Sequence, residues 1–260
     1  MFQDNYPIFS RDMILKAEML EALKMYPRDF FQVMYRNYSD GVIAGASLTI
    51  VDGVGIQVNP GILKHKGVLY HLSEPVLLDE YERGKDLAVR VRFLEREENA
   101  SEVRNETIID ICSPEQITES DMELGHFVLK DGAMLRQDYQ NFKDMATFHN
   151  TINILNVPFA MTGGKSTLSP EVLYQFGKEM LNYELTDGYD ISFVSLCMQQ
   201  QPIDRDFIEK YLEHRVDNIS KGEHTNEQIH SYLEKALELA RLGKGSTGVK
   251  RGPARRMLVD

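Results

Sequence analysis

Turn-forming residues recur every few positions between Gly41 and Leu129, and this spacing restricts that stretch to short antiparallel strands. Ala44 to Val51 reads as one strand, followed by the hairpin signal Asp52-Gly53. Gly55 to Asn59 continues with Ile56 and Val58 alternating against polar neighbours, and Pro60-Gly61 punctuates it. Ile62-Leu63, a Lys66-Gly67 turn and Val68 to Leu72 make a second hairpin, and Pro75 to Leu78 reads as an edge strand. After a turn at Gly84, Leu87, Val89, Val91 and Phe93 share one face of a strand, with Ala88, Arg90 and Arg92 on the other, the pattern of a half-solvated strand. Glu97 to Ser101 is expected as a polar turn and Val103 to Ile111 as a strand ending at Ser113-Pro114. Phe127 to Leu129 and Ala133 to Leu135 flank Asp131-Gly132 as one more hairpin. Strands this short with turns this regular predict a small antiparallel β-sandwich or barrel-like module.

Helical spacing brackets this β stretch. Ser10 is placed to cap a short N-terminal helix carrying Ile14, Ala17, Leu20 and Leu23, which Pro27 should end. Beyond Tyr139, Phe142, Met145 and Phe148-His149 keep helical spacing up to Thr151, and Met161 to Thr167 is a Gly/Ser/Thr loop. Three helices then follow. One opens at Ser169-Pro170-Glu171, one near Asp204, and one at Thr225, with Gln228 at capping-box spacing. The expected fold class is α+β: a short N-terminal helix, the β module and a C-terminal helical domain. The expected divisions are residues 1–137 for the helix plus β module, 138–243 for the helical domain and 244–260 for a flexible basic tail.

Function classes narrow with charge and cysteine usage. A formal net charge of -11 argues against a nucleic-acid binder, which needs concentrated Lys and Arg. Cys112 and Cys197 sit in apolar sequence, where a buried, inert thiol is expected, and two cysteines fit a reducing compartment. The opening residues lack a basic region followed by an apolar run, so no secretory leader is expected, and no apolar run is long enough to span a membrane.

No chemical motif is complete. Gly163-Gly164-Lys165-Ser166-Thr167 looks like the end of a phosphate-binding loop, but Phe159 occupies the position that needs glycine, and the helix signal comes only at Ser169-Pro170. No two of the seven histidines share a helix face at ligand spacing. His65 and His71 flank the Lys66-Gly67 turn and are expected at the surface. The acid pairs Asp79-Glu80 and Glu97-Glu98 lie in turns beside basic residues, as solvated charge does. The expectation is no enzyme, no catalytic, cofactor-binding or metal residues, and no cofactor.

Two segments are candidate interfaces. Phe30, Phe31, Tyr35 and Tyr38 form an aromatic run that is either a packing cluster or a docking surface. Arg251, Arg255 and Arg256, in the basic tail, are in a terminus with no task, in an arm binding an acidic neighbouring subunit, or in a nucleic-acid contact.

Asp40-Gly41-Val42-Ile43-Ala44-Gly45-Ala46, Gly55-Ile56-Gln57-Val58-Asn59-Pro60-Gly61-Ile62 and Gly67-Val68-Leu69-Tyr70-His71-Leu72 together resemble a module of contractile-phage and prophage baseplate and tail-fibre-attachment proteins. Leu124-Gly125-His126-Phe127-Val128-Leu129 before Asp131-Gly132 is similar to a later strand of such proteins, and Asn5-Tyr6-Pro7-Ile8-Phe9 is similar to their N-terminal region. The resemblance covers roughly residues 1–136. It implies a structural subunit of a contractile tail or baseplate that mediates attachment to neighbouring or fibre proteins and is oligomeric within the assembly. Such a subunit is cytoplasmic during assembly and then part of a virion or phage-like particle. The alternative is a P-loop-like NTP-binding protein acting on nucleic acid, resting on Gly163 to Thr167 alone; membrane and nucleic-acid partners are otherwise not expected.

Overall fold

A computed structural model describes residues 6–9, 11–99, 102–220 and 222–243. The chain divides at Tyr38–Ser39 into two compact units, taken here in turn. The first is built on helix α1, Ala17–Met34. Pro27 lies inside α1 and does not end it. A proline removes one backbone donor and crowds the preceding turn, but the hydrogen bonds on either side remain available to carry the helix on. Ser10, the expected cap, lies outside the described residues. The residue preceding the helix is Lys16, whose side chain makes no capping bond.

The second unit begins with six short strands: β1 Gly41–Gly45, β2 Leu48–Val51, β3 Gly55–Val58, β4 Gly61–His65, β5 Val68–Leu72 and β6 Val76–Leu78. They form two antiparallel sheets, ordered β1-β4-β5 and β2-β3-β6. The single strand expected over Ala44 to Val51 is two strands in different sheets. Gly45 and Ala46, both at positive φ (64° and 53°), turn the chain between them. Gly45 pairs with Gly61 in the β1–β4 register, and a Cβ on either would sit inside the opposing backbone. That close approach requires glycine at both positions. The Lys66-Gly67 turn joins β4 to β5 as expected, both residues at positive φ.

A third sheet, ordered β10-β7-β11, contains β7 Asp86–Phe93, then β10 Thr107–Cys112 and β11 Asp121–Val128. Between β7 and β10, β8 Glu97–Glu98 pairs with β9 Val103–Arg104, so the expected polar turn opens with a two-residue strand. β7 is the central strand and is buried from Leu87 to Val91, on both faces, which corrects the half-solvated reading. Ala88 is fully buried, and Arg90 is held by a bidentate pair with Asp110 (2.9 and 2.8 Å) and a hydrogen bond donated to the Gln116 carbonyl (3.1 Å). Alternation along one strand shows which residues share a face but not what covers that face.

Val42, Leu48, Ile56, Val58, Leu63, Val89, Val91, Leu124 and Phe127 from all three sheets share one apolar core. The sheets form no closed barrel among the described residues, and the class is α+β with a helical C-terminal part. His65 is buried beneath Phe93 (ring centroids 4.0 Å), not at the surface. Burial pushes its pKa below the usual histidine value, against an opposing pull from Asp40.

The hairpin expected across Asp131-Gly132 does not form. Val128 bridges to His149 and Arg136 to Thr151, so the segment after residue 147 takes the place expected for 133–135. That pairing also removes the helix expected over Phe142 to Thr151, which shrinks to a 3₁₀ turn, Lys143–Ala146. Asp144 anchors that turn: Arg136 donates to it twice (2.7 and 2.8 Å) and the Gln140 N–H once (3.0 Å). The Arg136 hydrogen bonds, opposed by partial desolvation, hold its carboxyl down to about 2. A depressed carboxylate stabilises the fold in full above its unfolded value near 3.8 and loses that stabilisation as pH falls towards 2. Asp144→Asn is therefore expected to melt lower than the parent chain above pH 4, with the gap closing as pH approaches 2; thermal melts of both proteins across that range measure it.

Four helices follow: α2 Pro170–Met180, α3 Gly188–Cys197, α4 Arg205–Arg215 and α5 Asn226–Arg241. Three start where their caps predict. Ser169 accepts from Glu171 N–H, Asp204 from Asp206 and Phe207 N–H, and Thr225 and Gln228 form a capping box. The fourth, α3, was not expected, because its apolar residues lie on all sides and leave no stripe to read. The helices close on Phe176, which meets Phe142, Phe193 and Tyr211 at centroid distances of 5.5, 5.7 and 6.3 Å. Cys112 and Cys197 are buried free thiols, and burial pushes Cys197 up to about 12.

Candidate docking surface

Helix α1 is 18 residues long and buries none of them. At 100° per residue its apolar side chains gather on one side. Met19, Tyr26 and Val33 form one column, Leu20, Pro27 and Met34 a second, and Leu23 and Phe30 a third, with Phe31 at the margin. Phe30 is 58% exposed, Val33 65% and Met34 56%. Lys24, Arg28, Glu18, Glu21 and Asp29 take the opposite side, with Met25 the large apolar exception among them. A helix of this length is marginal in water without a packed face, and burying a Phe, Leu or Met side chain contributes about 1.5–3 kcal/mol each. The sequence therefore makes an apolar stripe that its own unit leaves open.

The four aromatic candidates are brought together on this unit. Phe30 meets Phe31 edge to face (6.2 Å), Phe31 stacks with Tyr35 (6.5 Å), and Tyr35 meets Tyr38 edge to face (5.1 Å). Phe30 and Phe31 are exposed, and Tyr35 and Tyr38 half-buried. Arg251, Arg255 and Arg256 lie outside the described residues. Reading Pro27 as a stop hid Tyr26, Val33 and Met34 as members of the same stripe; the seven-residue spacing running through the proline was the available signal.

The phosphate-loop look-alike resolves differently. Phe159 pairs with Thr167 as an antiparallel bridge, and the helix begins only after Ser169. Lys165 Nζ lies 3.2 Å from Asp206 and 3.4 Å from Glu223, so two carboxylates stand where a phosphate would need positive charge. Arg205 spends its donors on Asn226 Oδ1 (2.8 Å) and on the carbonyls of Ser166 and His224, clasping the loop to the start of α5. Deeper in the helical part, Asp190 accepts from Tyr211 Oη (2.8 Å) and lies 3.2 Å from Arg215 Nε; all three are buried. Burial pushes the Asp190 carboxyl above its ordinary value, although Tyr211 and Arg215 oppose it. The pair joins α3 to α4. No group of three or more metal-ligating side chains converges among the described residues, and no described helix is long and apolar enough to cross a membrane.

No family model matches the chain, and no curated protein matches it. Among solved structures, similarity extends to a crystal structure of TssK (9% identity, TM-score 0.36, covering 93% of this chain and 69% of that one). It extends also to a chain of the TssK-TssF-TssG baseplate subcomplex of the type VI secretion system (10% identity, TM-score 0.39, covering 91% and 99%). A chain of the baseplate complex from the type VI secretion system is similar as well (12% identity, TM-score 0.34, covering 91% and 100%). Likeness at this level assigns the chain to no family.

Proposed function

We propose that the chain is a non-catalytic structural subunit of a contractile tail or contractile-injection baseplate, attaching to neighbouring subunits through α1. The observation that carries this reading is the α1 stripe, whose large apolar side chains are exposed along the whole helix. Large aromatics in one patch supply the anchors on which protein interfaces depend. The resemblance of the Gly41 to Leu129 stretch to baseplate and tail-fibre-attachment modules supplies the setting. In that setting the partners are other baseplate or fibre subunits, and the protein is cytoplasmic until it joins the particle.

The test is assembly. Phe30→Ser with Phe31→Ser is expected to leave the melting temperature within a few degrees of the parent, because neither side chain is in a core, and to reduce incorporation into particles at least tenfold. Quantifying the subunit in purified particles measures this; a folded double variant that incorporates normally removes α1 from the attachment surface.

A further inference from the structure

We infer that the apolar face of α1 pairs with α1 of a second copy of this chain. The inference rests on the docking role proposed above and names the occupant of that surface. Three observations point to a like partner.

The first is periodicity. The columns Met19/Tyr26/Val33, Leu20/Pro27/Met34 and Leu23/Phe30 repeat at seven residues, the spacing with which one helix follows another along its length. A groove of some unrelated shape would not require a continuous straight stripe.

The second is charge. The chain as a whole carries -11, so two copies repel over most of their surface. Within α1 the charges nearly balance, with Lys24 and Arg28 against Glu18, Glu21 and Asp29, a net of -1. None of the charged residues of α1 interrupts the apolar stripe, and Lys16, just before the helix and seven residues from Leu23, stands at its N-terminal end. Two such faces meet without like-charge repulsion, and the patch holds no net charge with which to select an acidic or basic stranger.

The third is area. The exposed large side chains of the stripe present roughly 700 Å² per helix, taking about 100 Å² for each half-exposed Leu, Val, Met, Phe or Tyr, so two copies bury about 1,400 Å², within the range of stable specific interfaces. A two-fold pairing uses the same patch twice and is closed, so it does not propagate into aggregates.

The test uses the full chain. Sedimentation and light scattering at micromolar concentration are expected to give at least twice the single-chain mass for the parent protein. The Leu23→Glu/Phe30→Glu variant is expected to give the single-chain mass, with the cooperative melt of the rest of the protein intact. Single cysteines add geometry, since both native thiols are buried. Under mild oxidation, Leu20→Cys or Leu23→Cys is expected to cross-link between copies at least tenfold more than Glu18→Cys on the opposite side. A monomeric parent overturns the inference, as does an oligomer that the charged variant does not dissociate, or cross-linking that is equal on both sides. A monomeric parent whose incorporation into particles still depends on Phe30 and Phe31 overturns self-pairing alone and leaves attachment through α1 standing. A dimeric parent indifferent to those residues in particle incorporation overturns the attachment and leaves the pairing.

Discussion

Phe176→Ala is expected to cost about 4 kcal/mol, the middle of the range for emptying a buried phenylalanine site. Phe176 is fully buried, and its ring is the meeting point of Phe142 before the helices, Phe193 on α3 and Tyr211 on α4. Removing it leaves a cavity walled by three other aromatic rings on separate elements, which cannot all move inward together. For a unit of this size the loss corresponds to a drop on the order of 10 °C in melting temperature, which calorimetry measures. Phe30 and Phe31 are the same residue type, yet their replacement is expected to spare stability and affect assembly, because they lie on a surface and not in a core.

Arg90→Ala is expected to cost about 3 kcal/mol, because it strips the half-buried Asp110 and the buried Asp121 carboxylates of a shared counter-charge. The guanidinium bonds Asp110 at both oxygens and sits 3.8 Å from Asp121, whose side chain is 4% exposed. Its hydrogen bonds to Asp110 hold that carboxyl below the ordinary range. Without Arg90, Asp110 keeps Arg92 (2.7 Å) and Asp121 keeps the Thr118 hydroxyl and N–H, which places the expected cost at the low end for a broken buried pair. Asp110→Asn alone is expected to cost less, since an amide oxygen still accepts from Arg90, Asp121 remains 3.8 Å away as its counter-charge, and Arg92 is exposed enough to be solvated. Urea denaturation of the two variants compares them directly, and an Arg90→Ala protein as stable as the parent excludes a structural role for this cluster.

Local chemistry wrote much of this protein into its sequence. The Lys66-Gly67 and Asp52-Gly53 turns and the caps at Ser169, Asp204 and Thr225 all follow from residues within a few positions of one another. The apolar stripe of α1 is equally local: its columns are legible once the helix is allowed to pass through Pro27.

Competition between distant segments decided the rest. Whether residues 133–135 or 149–151 pair near the end of β11 depends on which backbone can reach it, and no turn signal at Asp131-Gly132 records that contest. The second face of β7 is buried because Asp110 and Gln116 converge on Arg90 from more than 15 residues away. Helix α3 carries no stripe because Tyr189 and Ile191 stay exposed while Asp190 is buried with Phe193, Val194 and Cys197, a division that only the folded chain makes. Turn and capping hydrogen bonds act over a few residues, so a single sequence displays them; strand pairing and burial are properties of the whole arrangement, and only the assembled fold assigns them.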